Sequence, residues 1–154
     1  MIEYSKVKVL NEMELSFSAF SENEALARVC VASFAASKNP TLEEISDIKT
    51  AVSEAVTNCI IHGYQNEEGK IYMHCRLEDN LLTVEIEDKG VGIDNIEQAM
   101  EPMYTTKPDM ERSGMGFAFM EAFMDELEVI STPGEGTLIR MKKEIGSSPW
   151  IYED

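Results

Sequence analysis

Positive charge is in short supply in this chain. Lysine and arginine together number 13 against 29 aspartates and glutamates, which leaves a formal net charge of −16. A field of that sign repels nucleic-acid phosphate and anionic lipid, so direct nucleic-acid contact and membrane attachment are not expected, while a partner with a basic face is favoured. Apolar runs of membrane-spanning length are missing, and the opening Met-Ile-Glu-Tyr has no basic signal-peptide head. A cytoplasmic protein is expected. Cysteine is limited to Cys30, Cys59 and Cys75, an odd number with no C-x-x-C, all inside apolar periodic segments. They read as reduced core thiols. His62 and His74 lack metal-ligand spacing with any cysteine or with each other, which argues against zinc. A G-x-x-x-x-G-K-[ST] phosphate loop is absent as well.

What the chain does contain is an ordered series: Glu54-x-x-x-Asn58, Asp88-x-Gly90-x-Gly92, Gly114-x-Gly116 and Gly136-Thr137. Each motif alone is weak; their order and the elements they fall on make an ATP site. Apolar residues from Ile48 to Ile61 recur at helical spacing, so Glu54 and Asn58, four apart, project from one helix face, an arrangement suited to magnesium and a reacting oxygen. Asp88 follows the alternating run Leu82-Thr-Val-Glu-Ile-Glu87 and therefore sits at a strand end. There its carboxylate can accept a hydrogen bond from an exocyclic amine, with Gly90 and Gly92 admitting a close backbone approach. Gly114-Met115-Gly116 opens an apolar helix, whose free N–H groups and positive dipole end suit a phosphate.

At 154 residues the chain fits one domain, 1–145, followed by a poorly ordered tail, 146–154. A first strand is expected through Val7, Val9, Met13, Leu15 and Phe17, with a bulge or bend near Leu10 and Asn11. Ser21 and Glu24 form a capping-box pattern ahead of a helix with apolar positions Ala25, Leu26, Val29, Ala32 and Ala36, ended by Asn39-Pro40. Thr41 and Glu44 repeat the pattern before the helix of Glu54, which stops near Gly63. A hairpin joins strands 70–77 and 81–87 through Glu78-Asp79-Asn80, and a short helix lies near 96–100. The segment from Pro102 to Ser113 reads as a mobile loop. Two closing strands, 127–131 and 137–142, flank Pro133-Gly-Glu-Gly136.

Taken together, Ser21 to Arg28, Lys49 to Tyr64, Asp88-Lys-Gly-Val-Gly-Ile and Met103 to Phe117 resemble the GHKL ATPase superfamily, and more closely the anti-sigma F factor serine kinases of spore-forming bacteria. The resemblance implies an α/β fold, more narrowly an α+β two-layer sandwich of the Bergerat type: a mixed, mostly antiparallel sheet backed by helices, with an ATP lid. It implies Glu54 as general base, Asn58 as the amide that holds Mg2+, and Asp88 as the adenine reader. Gly90 and Gly92 then line the nucleotide. Ser113, Gly114, Met115 and Gly116 would supply phosphate contacts, Arg112 a lid cation, Thr105 a further lid contact and Thr137 a second adenine-side contact. Arg28 matches a first-helix arginine used for partner recognition, though an exposed residue with no such role remains open. The implied partners are a sporulation sigma factor, an anti-anti-sigma protein phosphorylated on serine, and a second copy of the chain in a homodimer. A nucleotide-gated binding module without phosphoryl transfer, another small GHKL ATPase and a histidine kinase catalytic fragment remain as alternatives.

Overall fold

The computed structural model of the chain describes residues 10–101 and 116–146. Their elements run β1 (Leu10–Ser18), α1 (Asn23–Ala35), α2 (Leu42–Asn58), β2 (Lys70–Glu78), β3 (Leu81–Asp88), α3 (Ile96–Ala99), α4 (Gly116–Phe123), β4 (Glu126–Thr132) and β5 (Gly136–Glu144). The strands form one sheet in the order β1-β2-β3-β5-β4, and every pairing is antiparallel. This is the antiparallel majority of the expected sheet, with no parallel pair among the described residues.

Alternation sets the layers. Ile71, Met73, Cys75 and Leu77 of β2 and Leu82, Val84 and Ile86 of β3 are buried on one sheet face, joined by Ile139 and Met141 of β5. Ile48, Ala51, Val52, Ala55 and Val56 of α2 close over that face, with Ala27, Val31 and Ala35 of α1 and Phe117 and Met120 of α4 beside them. The opposite face is polar and carries cross-strand ion pairs, including Arg140 with Glu85 at 2.9 Å and with Glu128. Cys59 and Cys75 are buried as free thiols, and Cys30 is half-buried. No helix among the described residues is long and apolar enough to cross a membrane.

Three local expectations need correction. First, β1 pairs with β2 without interruption from Leu10↔Glu78 to Ser18↔Lys70, so there is no bulge at Leu10 or Asn11. Secondly, Ser21 and Glu24 do not form a capping box. Glu22 is the N-cap, its side chain making no capping bond to the helix, and Glu24 accepts from Thr57 Oγ1 of α2 at 3.2 Å and from Arg28 at 3.3 Å. Thirdly, the buried stripe of α1 is Ala27, Val31 and Ala35, whereas Leu26 and Val29 are 43% and 64% exposed. The inner residues recur at four-residue spacing on the face that meets α2, and the alanines at 27 and 35 let the two helices approach closely.

The second capping box is complete: Thr41 Oγ1 accepts from the Glu44 N–H at 3.0 Å, and Glu44 Oε1 accepts from the Thr41 N–H at 2.8 Å. Helix α2 then widens into a π-turn over Cys59–Gly63. Such turns are rare and recur at functional sites. At the far end Gly146 is held by its N–H on Glu44 Oε1 at 3.2 Å; the rest of the predicted tail lies outside the described residues.

Candidate nucleotide site

Strand periodicity explains why a carboxylate is buried here. Leu82, Val84 and Ile86 face the helices, so residue 88, two further on, faces them as well. Asp88 is accordingly 1% exposed. Its Oδ1 accepts the Gly90 N–H at 2.9 Å, while Oδ2 is buried without a hydrogen-bond partner among the described residues. Burial pushes this carboxyl above the usual carboxylate range, against the pull of the Gly90 N–H and the weaker pull of the Cys59 thiol and the Thr137 N–H, neither of which reaches Oδ2 in hydrogen-bonding geometry. The neighbouring Cys59 thiol is pushed well up by its own burial and then by the Asp88 charge.

The wall around Asp88 is built from glycines. A β-carbon on Gly63 would lie 2.6 Å from the Asp88 carboxyl, so the π-turn reaches the carboxylate only because residue 63 has none. Gly63 also accepts the Val91 N–H at 2.9 Å, and a β-carbon on Gly90 would lie 2.0 Å from its carbonyl oxygen. Gly92, with φ +77°, abuts the Thr132 carbonyl in the β4–β5 turn. Among the described residues these glycines thus have a packing reason: they let the end of α2, the loop after β3 and the β4–β5 turn meet around one carboxylate. Gly63 was read from sequence only as a helix stop. Its role here had no separate signal.

Thr137 is 4% exposed and pairs directly across from Asp88. Its Oγ1 lies 2.8 Å from Ser131 Oγ, which donates to the Gly136 carbonyl at 3.0 Å and accepts the Ile93 N–H at 2.7 Å. Ser131 was not singled out in the sequence. It ties Thr137 to the loop that follows Asp88.

Glu54 and Asn58 lie one turn apart on α2, both half-buried, and α2 delivers Gly63 to Asp88 at its end. Glu54 opens onto a groove of about 950 Å³ between α1 and α2, which it shares with Glu24, Arg28, Lys49, Ser53 and Thr57. Arg28 donates to Ser53 Oγ at 3.2 Å as well as to Glu24, so it rests on α2 beside Glu54. Gly116 begins α4, which packs on α2. Thr105, Arg112, Ser113, Gly114 and Met115 lie outside the described residues.

A buried carboxylate oxygen with an unfilled acceptor position is what an exocyclic amine would complete, and Asp88 therefore fits an adenine ring. The family model described as the histidine kinase-like ATPase domain matches residues 17–143. A curated anti-sigma F factor from Clostridium acetobutylicum is 61% identical over 134 residues, spanning 87% of this chain and 94% of that protein. Those from Thermoanaerobacter pseudethanolicus and Bacillus subtilis are 60% and 55% identical, over 89% and 90% of this chain and 96% and 95% of theirs. The chain belongs to the anti-sigma F factor family. Its fold matches the crystal structure of the RsbU and RsbW domains of Rv1364c from Mycobacterium tuberculosis, with a TM-score of 0.63 at 19% identity over 88% of this chain and 32% of that one. The Bergerat-type expectation thus holds: a histidine kinase-like ATPase domain runs across most of the chain's length.

Proposed function

We propose that the chain is an ATP-dependent protein serine kinase that also sequesters a sporulation sigma factor, acting in the cytoplasm as a homodimer. The observation that carries the nucleotide part is the buried Asp88 with its unpartnered Oδ2, at the end of the strand beside the Glu54–Asn58 helix. The protein substrates come from family membership: a sigma factor as the bound partner and an anti-anti-sigma protein as the phosphoryl acceptor.

In this reading Asp88 accepts the adenine amine and Thr137 supports it from the adjacent strand. Asn58 presents a carbonyl oxygen, a hard ligand of the kind Mg2+ prefers, while the metal when bound neutralises phosphate charge. Glu54, one turn earlier, accepts the proton of the attacking serine hydroxyl; a carboxylate suffices because phosphoryl transfer depends mainly on position and electrostatics. Arg112, Ser113, Gly114, Met115, Gly116 and Thr105 complete the phosphate side, and Arg28 meets the protein partner.

Transfer of labelled γ-phosphate from Mg-ATP to an anti-anti-sigma protein tests the reading, with Glu54→Gln as the variant. Loss of transfer by at least ~100-fold, with ATP binding kept, is the expected outcome for removal of a general base. Retained binding of ATP and sigma factor with no transfer by the wild type would instead make the chain a nucleotide-gated binding module.

A further inference from the structure

Tyr64 sits where the β2–β3 ladder comes apart. The register runs from Glu78↔Leu81 to Tyr72↔Glu87, and two more residues of the same register would set Lys70 opposite Lys89. Those two backbones do not bond directly. The Tyr64 hydroxyl lies between them, accepting the Lys89 N–H at 2.8 Å and donating to the Lys70 carbonyl. A side-chain oxygen thus takes the place of the last rung and holds the strands apart at the point where β3 delivers Asp88.

Further bonds fix the loop that follows. The Gly90 N–H reaches back to Asp88 Oδ1, the Val91 N–H reaches Gly63, and the Val91 carbonyl accepts from the Gly134 N–H at 2.7 Å. Lys89 is held at its other end as well, its Nζ standing 5.2 Å from the centre of the Tyr72 ring. The phenol ring is itself positioned by Gly69, where a β-carbon would lie 2.5 Å from it. Gly69 is not among the residues of positive φ, and the three atoms nearest to a β-carbon there all belong to the ring, so an alanine acts first on Tyr64.

We propose that Tyr64 is a positioning residue for purine selectivity: its hydroxyl, inserted between Lys70 and Lys89, sets the angle at which Asp88 meets a 6-amino group. This deepens the adenine reading and rests on it. Without the hydroxyl, either the rung closes directly and draws Asp88 toward β2, or the Lys89 N–H is left unpaired; both outcomes displace the carboxylate.

The test compares binding of ATP and inosine triphosphate, which carries a 6-oxo group in place of the amine, to the full chain by calorimetry. Wild type is expected to favour ATP. Tyr64→Phe is expected to weaken ATP by about tenfold and inosine triphosphate by less than about twofold, since only a nucleotide that uses the Asp88 hydrogen bond can lose it. Gly69→Ala, which keeps the hydroxyl but displaces the ring, should lose the same selectivity and serves if the phenylalanine variant fails to fold. A wild type that does not prefer ATP overturns the adenine reading and this inference together. A wild type that prefers ATP, with both variants retaining the preference or losing both nucleotides in parallel, overturns the role of Tyr64 alone.

Discussion

At the scale of single residues, the site is organised by the cost of burying one charge. Asp88 lies on the inner sheet face by simple alternation, and its desolvation raises the carboxyl pKa relative to an unfolded chain. Between the unfolded and folded values the native state binds more protons, so stability falls as pH rises through that interval and stays lowered above it. Asp88→Asn removes the penalty while keeping an oxygen for the Gly90 N–H. The variant's unfolding midpoint at neutral pH should therefore equal or exceed that of wild type, and its advantage should shrink in acid. Its ATP affinity should fall by about 10- to 100-fold, the worth of a hydrogen bond to a charged group. Calorimetry of ATP binding against pH supplies the companion measurement: wild-type affinity weakens as pH falls through the raised carboxyl pKa, and the variant lacks that limb. A variant that loses stability at neutral pH would contradict a buried, under-solvated carboxylate. The placement of Asp88 and Thr137 at facing strand ends was legible in sequence, because Asp88 ends an alternating run two residues before a glycine and Thr137 directly follows one. The roles of Gly63 and Ser131 were not, because what makes them matter is a contact across more than 20 residues or a network of hydroxyls, and neither leaves a local pattern.

At the scale of elements, two capping patterns that look alike in sequence have different fates. Thr41 and Glu44 satisfy each other's N–H groups, whereas Glu24 is drawn across to Thr57 and Arg28. A local motif holds only while no tertiary partner outbids it, and α1 lies close enough to α2 to offer one. Thr41→Ala should therefore cost about 1 kcal/mol and lower the unfolding midpoint by roughly 2–4 °C, as expected for a lost N-cap in a chain of this size. Ser21→Ala should change it by less than about 0.5 kcal/mol, since among the described residues the Ser21 hydroxyl bonds only to exposed Glu22. Equal losses in thermal melts of the two variants would show that both boxes operate in solution. The same closeness of α1 and α2 explains the misread helix face. Ala27, Val31 and Ala35 recur at four-residue spacing on the face turned to α2, and Leu26 and Val29 lie off that line, so position relative to α2 rather than hydropathy set which stripe went inward. Strands fared better: Leu82, Val84 and Ile86 are all buried as their alternation implies, because one sheet face is covered by helices and the other carries charged pairs.

At the scale of the whole molecule, the fold places its nucleotide site in a protein of formal net charge −16. An incoming ATP carries the same sign, so its approach is opposed by the average field and favoured only by local cations and by magnesium. The balance is open to measurement because the two contributions respond to salt in opposite directions. Added monovalent salt screens the long-range repulsion, whose reach is about 10 Å at 0.1 M, while pairs held in contact are screened less. Without magnesium, ATP affinity is therefore expected to rise as salt is raised from about 50 to about 200 mM. With magnesium present the nucleotide brings less charge, and the same change of salt should alter affinity much less. Titrations at several salt concentrations, with and without the metal, give the two slopes directly. An affinity that falls with salt in both series would mean that contact with local Lys and Arg outweighs the acidic field, and that the excess of carboxylates serves the protein partners rather than shaping nucleotide entry.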